Sequence, residues 1–414
     1  MCSYLKDKGC KGMGSLKYIV VLGDGMAGLP LETLGGQTTL EYARTPAMDL
    51  LAGKGEVGLA CMVPPDMKPG SDVANLSVLG YDPVKCYTGR SPLEALSIGV
   101  PMEATDAIYR CNLVTLTDEE PYLQKRILDH SADEISTQEA AQLIQAVNEE
   151  FSSEILHFYP GTSYRHIAVW KNGTILEMEA PHDHLGEVIG LYLPQHPMFR
   201  EIMERSYTVL NTHPINLRRA KEGKRKANSL WFWGGGVQPN LENFYSKNGL
   251  HGTMISAVDL LKGIAVGTGM EVITVPGANG SLDTNYAGKA AAGLDALLNR
   301  DMDLVFIHVE APDEMGHQGS ISHKIQSIEE IDSKIVGPMY EAMQSSGIPF
   351  RMLVLPDHPT PISLRTHTKE PVPYVLYDST RERKKIGRYN EKEGEASGIC
   401  FPEGFRLMER LIER

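Results

Sequence analysis

The sequence predicts an α/β protein built on a doubly wound, mostly parallel sheet, with an inserted α+β cap domain. Three observations predict it. Short apolar, strand-like runs alternate with helical patterns towards both ends of the chain. Three of those runs stop abruptly at ionisable residues: YIVVLGDG (18–25), LVFIHVEAPDEMGHQG (304–319) and MLVLPDH (352–358). From about residue 109 to 252 the rhythm gives way to mixed text with polar, amphipathic helices such as STQEAAQLIQAVNEEF (136–151). The expected division is a discontinuous domain of 1–108 and 253–414 around a cap of 109–252.

In chain order, YIVVL is the first strand and ends in Asp24 between two glycines; TPAMDLLAGKG (45–55) follows as a helix. EVITV (271–275) is a strand, and a helix runs through NYAGKAAAGLDALLNRD (285–301). Then come the strand LVFIHV, the helix SHKIQSIEEIDSKIVGPMYEAMQSS (322–346), the strand MLVL and the strand PYVLY (373–377). Sheets of this kind bind ligands beyond the C-terminal ends of their strands, which is where these acids and imidazoles fall.

The chain has 414 residues, 42% hydrophobic and 22% charged, a globular composition long enough for two domains. No apolar run approaches the ~18 residues of a membrane helix. The N-terminus lacks the apolar core of a secretory signal, so a cytoplasmic location is expected, and residues 1–14 look like a polar leader. Cysteines at 2, 10, 61, 86, 111 and 400 show no CxxC spacing and are expected as reduced thiols. A net charge of −13 argues against nucleic acid as a partner, and nothing points to a membrane. GDGMAG (23–28) satisfies GxGxxG, yet Asp24 would stand inside the loop meant for a pyrophosphate and repel it.

Asp313 and His317 stand four apart, so one helical turn puts both on one side. Asp357 and His358 are adjacent, in a segment made irregular by Pro356 and Pro359, and His367 follows in RTHTKEPVPY. With Asp24 these make six mixed carboxylate and imidazole groups. Such donors suit zinc, manganese or iron better than calcium. Six are too many for one tetrahedral ion and about right for two. Taken singly, each histidine has an alternative as a hydrogen-bonded core residue, and Asp24 and Asp357 as helix N-caps.

The pattern D-x-x-x-H after one strand, D-H after another and H-T beyond resembles the metal signature of the alkaline phosphatase superfamily. The longer words VLGDGMAGLP, PGSDVANLSVLGYDP, HVEAPDEMGHQG and PDHPTPISLRTHTKEPVPY are similar to the cofactor-independent phosphoglycerate mutases, in their shorter, archaeal-type branch. The likeness covers nearly the whole chain from Tyr18. It implies a sheet of alkaline-phosphatase type and two divalent ions, manganese foremost, with zinc, cobalt or magnesium also tolerated. One ion would rest on Asp313, His317 and His367, the other on Asp24, Ser71, Asp357 and His358.

From the residues alone Ser71 is an N-cap candidate; the resemblance makes it the nucleophile that becomes phosphoserine. The implied partner is a small phosphorylated hydroxy acid, with Asp72 and Asn75 lining its pocket. Arg90, Arg165, His166 and Lys262 would take its phosphate and carboxylate. Asn228 and Trp231 stand in a further similar word. About half of the basic cluster Arg218, Arg219, Lys221, Lys224, Arg225 and Lys226 is expected to be solvated. In LDHSADEIST (128–137) acidic Asp133 and Glu134 stand where a basic or imidazole group is expected, so no general acid–base residue is assigned. The implied activity is interconversion of 3-phosphoglycerate and 2-phosphoglycerate, with the cap keeping water from the phosphoserine. The alternatives are a homoserine kinase-like phosphotransferase of the same branch and a metal-dependent phosphatase.

Overall fold

A computed structural model describes residues 15–381 and 387–413; the polar leader 1–14 lies outside them. Contacts divide the chain into two units, Met1–Cys86 with Leu241–Arg414, and Tyr87–Asn240.

The first unit is a mixed α/β layer structure around an eight-stranded sheet. Its order is Cys400–Phe401, Glu56–Ala60, Val372–Asp378, Phe350–Leu355, Lys17–Gly23, Leu304–Val309, Gly252–Ile255, Glu271–Val272. Lys17–Gly23 is central, parallel to Leu304–Val309 on one side and to Phe350–Leu355 on the other. Every residue of these three strands is buried. Burial on both faces explains why they appear as unbroken apolar runs rather than alternating ones. Leu22 lies opposite both His308 and Leu355. The three strands therefore end level, and Asp24, Glu310 and Asp357 leave the sheet side by side.

Some elements differ from expectation. Val372–Asp378 runs antiparallel to both its neighbours, the one reversed strand among the described residues of this sheet. EVITV pairs only through Glu271–Val272, because its partner Gly252–Ile255 is four residues long and Pro276 and Gly277 follow at once. The strands Glu56–Ala60 and Gly252–Ile255 were not expected; both are too short to show a period. The long helix is Ile321–Ile331 and Gly337–Ser346, joined by a wide π turn at Asp332–Val336. Pro338, which has no N–H for the helix ladder, accounts for that widening.

The second unit holds a five-stranded antiparallel sheet. Ala107–Leu116 is its centre, flanked by Arg165–Trp170 and Ser229–Gly236, with Leu156–Tyr159 outside and Ile127–Asp129 at one end. The helices Thr137–Phe151 and Pro197–Asn211 bury Leu143, Val147, Phe199 and Met203 in one core with Leu113 and Phe232 of the sheet. The unit begins earlier and ends earlier than the expected 109–252. Thr88 and Ser91 hydrogen-bond the carbonyls of Val237 and Gly234, which ties residues 88–91 to this sheet. Tyr81 bonds the carbonyl of Glu242 and ties that return passage to the first unit. Among the described residues, no helix is long and apolar enough to cross a membrane.

Candidate active site

The loops that leave the three level strands bring the ionisable residues together in two groups. Asp24, Asp357 and His358 form one; Asp313, His317 and His367 form the other. In the first, the Nε2 of His358 lies 3.5 Å from Asp24 Oδ1, 3.4 Å from Asp357 Oδ2 and 3.2 Å from Ser71 Oγ. Donor atoms around a tetrahedral ion with arms near 2.1 Å stand about 3.4 Å apart, so this spacing fits a cation. Electrostatics agree. Burial, then Asp357, Asp313 and Glu310, push the Asp24 carboxyl well above its ordinary range. Two buried carboxylates this close need a proton or a cation between them. Asp24 Oδ1 is buried with no hydrogen-bond partner.

The other carboxylate oxygens of the group and His358 Nδ1 are committed. Asp357 Oδ1 accepts from the backbone N–H of Gly25 and of His358, and Oδ2 accepts from Asn75 Nδ2. His358 Nδ1 donates to Thr360 Oγ1 at 3.3 Å, and Thr360 in turn donates to Asp313 Oδ1. This fixes the tautomer that leaves Nε2 as a bare lone pair. Gly25 has φ +58°, and a Cβ there would stand 2.4 Å from Thr360 Oγ1 and 2.6 Å from Asp313 Oδ1. Only glycine fits both the turn and the space.

The second group comes from the helix Ala311–His317, where the four-residue spacing places Asp313 beside His317. Asp313 lies 3.2 Å from His317 Nε2 and 3.3 Å from His367 Nε2, and the two imidazole nitrogens are 2.9 Å apart. His317 Nδ1 donates to the carbonyl of Arg365, so Nε2 faces inward carrying either a proton or a metal ion. Hydrogen bonding to Asp313, opposed by burial, raises its pKa to about 9 in the metal-free protein. Lys324, fully buried, donates to the carbonyls of Ala27 and Thr360 and so ties the loops after the first and third strands together.

Ser71 opens the helix Ser71–Val78 as its first residue; the N-cap is Gly70. The side chain does not cap the helix, and Oγ turns to His358. Asn75, one turn on, is fully buried and bonds the Ser71 carbonyl and Asp357. It holds the site rather than facing a pocket. Asp72 Oδ1 accepts from Val73 N and so serves the first turn of the helix.

The chain is 50% identical over 404 residues to the 2,3-bisphosphoglycerate-independent phosphoglycerate mutase of Methanosarcina mazei, covering 96% of this chain and 100% of that one. It belongs to that family. A protein of Geobacter sulfurreducens with the same designation, qualified as probable, is 48% identical with the same coverage. The family model of 2,3-bisphosphoglycerate-independent phosphoglycerate mutase matches residues 52–216. A solved protein from Pyrococcus horikoshii, 28% identical, superposes with a TM-score of 0.79 over 96% of this chain and 97% of its own. The cofactor-independent phosphoglycerate mutase of Thermoplasma acidophilum, 23% identical, shares the fold with a TM-score of 0.64 over 96% and 99%.

The cationic residues expected in a phosphoglycerate mutase have mixed fates. In the second unit Arg90 and Arg165 come together around buried Glu94, which accepts from Arg90 Nε at 2.9 Å and Arg110 Nη2 at 2.8 Å. Burial pushes the Glu94 carboxyl up, but Arg110, Arg90 and Arg165 outweigh it and hold it below its ordinary value. Arg110, which also lies 4.8 Å over the Trp233 ring, was not expected. Three guanidiniums against one carboxylate supply the local positive charge that an acidic chain needs for an anion.

His166 is not part of this cluster. Neighbours on a strand point to opposite faces, so with Arg165 among the charges His166 goes inward. It is fully buried, accepts from Gly161 N, and is driven down to about 3 by burial and by Arg165. Lys262, on the helix Asp259–Gly267 of the first unit, pairs with Asp259 one turn back. Asn228 pairs with both backbone groups of Leu116, and Trp231 is buried with its N–H on the Glu179 carbonyl.

The 218–226 cluster is mostly paired: Arg218 and Arg219 with Glu139, Arg225 with Asp129. These contacts hold a turn in which Ala132, Asp133 and Glu134 all have positive φ, at 51°, 56° and 49°. Such a run is costly, about 1–3 kcal/mol for each residue. The turn starts beside His130, whose ring lies 5.6 Å from Tyr164 and 6.0 Å from His182, with Nδ1 buried and unpaired. Of the residues overlooked, Thr360, Lys324 and His308 gave no signal, since nothing local separates them from ordinary core positions.

Proposed function

We propose that this chain interconverts 3-phosphoglycerate and 2-phosphoglycerate through a phosphoserine at Ser71, with two divalent ions, manganese foremost. Asp313, His317 and His367 would hold one ion; Asp24, Asp357, His358 and Ser71 Oγ would hold the other. The observation that carries the reading is Ser71 Oγ, 3.2 Å from His358 Nε2 and in the same cluster as two buried carboxylates spaced to share a cation. Divalent ions in such sites lower the pKa of a bound hydroxyl and neutralise transferring phosphoryl oxygens. In the forward direction Ser71 Oγ gives up its proton and forms a bond to phosphorus as the bond to O3 breaks, and O3 takes up a proton. The 2-hydroxyl of the retained glycerate then loses a proton and its oxygen bonds to phosphorus as the bond to Ser71 Oγ breaks, and Ser71 takes a proton back. The net reaction consumes no water. Arg90, Arg110 and Arg165 are the charges suited to the substrate's carboxylate, and a cytoplasmic location goes with this role.

The test is an enolase-coupled assay on purified protein with 3-phosphoglycerate and manganese, without bisphosphoglycerate, before and after chelation. Turnover that chelator removes, manganese restores and Ser71→Ala abolishes is the expected result. Absence of turnover in folded, manganese-loaded protein overturns the reading.

A further inference from the structure

A buried polar chain behind the first group has no place in the chemistry above. The backbone N–H of Val258 donates to Ser256 Oγ at 3.0 Å. The same Oγ lies 3.2 Å from His308 Nδ1. His308 Nε2 lies 2.9 Å from Asp24 Oδ2. Ser256, His308 and Asp24 are all buried, and Lys289 Nζ bonds the carbonyl of His308 and fixes its backbone. The proton directions follow from the carboxylate end: as a metal ligand Asp24 is ionised and can only accept, so the His308 proton sits on Nε2, Nδ1 accepts, and Ser256 donates to it while a lone pair of Oγ takes the Val258 N–H.

We propose that His308 is a positioning residue for the metal centre, which in its Nε2–H tautomer, completed by Ser256 at Nδ1, ties down Asp24 Oδ2 and presents Oδ1 alone to the ion. The two oxygens of Asp24 are treated differently: Oδ2 has the imidazole, and Oδ1 is the buried atom with no partner, facing His358 and Asp357. The three-strand register explains how this comes about. His308 pairs with Leu22 two residues before Asp24, so the histidine of one strand lies directly beneath the carboxylate that ends the next. Groups that orient a metal-binding carboxylate typically contribute about 10–100-fold in metal affinity.

The inference rests on the two-ion reading, and its test has a readout other than turnover. Manganese is titrated into chelator-stripped protein while free Mn2+ is counted by electron paramagnetic resonance, with circular dichroism to check folding. In His308→Ala one class of site should weaken by about 10–100-fold, and the class built on Asp313 should not change. His308→Gln, whose amide can place an N–H near the lost Nε2, should restore most of that affinity, and Ser256→Ala should fall between the two. The inference is overturned if His308→Ala titrates like the wild type, if both classes weaken together, or if Gln is no better than Ala. If the wild type itself takes up no manganese, the two-ion reading fails and takes this inference with it.

Discussion

Replacing Thr360 by valine tests the idea that one hydroxyl organises both ligand groups. Thr360 is fully buried, and its Oγ1 accepts from His358 Nδ1 and donates to Asp313 Oδ1. Valine has nearly the same shape, so the packing of Cγ2 near Gly316 survives and no cavity opens. What is lost is the partner of a buried N–H and one partner of a buried carboxylate. Each orphaned buried group costs about 1–3 kcal/mol. Asp313 keeps both imidazoles, which places the sum at about 2–4 kcal/mol. Thr360→Ser makes the opposite change. It keeps the hydroxyl and removes a methyl group, at about 1 kcal/mol. The apolar substitution should therefore be the more harmful in an apolar-looking core. Urea midpoints of the metal-free proteins, with manganese titrations of the same samples, give the comparison. Stability in the order wild type, Ser, Val, with weaker manganese binding in Val alone, is the expected result. A valine variant as stable as the serine one, or one that binds manganese normally, would refute the reasoning.

Two further outcomes follow from the same geometry. Arg219 is buried and bonds Glu139, the Arg225 carbonyl and the Ala132 carbonyl, while its neighbour Arg218 is largely exposed. Arg219→Ala should cost about 3–5 kcal/mol in urea unfolding, and Arg218→Ala less than about 1 kcal/mol; equal losses would show that the left-handed turn is not held from Arg219. The second concerns pH. The folded pKa of His317 is raised to about 9 by Asp313, so the ion pair stabilises the metal-free protein fully below the unfolded value of about 6.5. That stability is lost as pH rises towards 9, whereas manganese must displace the same proton and binds more tightly over the same interval. Calorimetry in buffers of different ionisation heat should find protons released on manganese binding at neutral pH, falling off above pH 9. No release would place His317 outside the metal site.

Much of the candidate site was legible in the sequence because its ionisable residues sit where local patterns change. A run such as LVFIHV that is buried on both faces cannot carry a charge within it except at a built site. The acids at its end, and the i, i+4 spacing of Asp313 and His317, were therefore visible without coordinates. The Ser71 segment was visible in the same way, as a serine between a glycine and a helical apolar pattern.

Tertiary structure decided what depends on neighbours distant in sequence. His308 looked like one more core residue until the parallel register set it beneath Asp24. Thr360 became an organising residue only when its hydroxyl met Asp313, 47 residues away, and Lys324 only when it met Ala27, 297 residues away. Arg165 and His166 are indistinguishable as neighbouring cations in the text, and strand alternation sent one to the arginine cluster and the other into the core. The chain determines which chemistry its strand ends carry, because burial punishes misplaced charge at every residue. The assembled sheet decides which of those groups touch, because register and packing are properties of strands brought together and of no one strand alone.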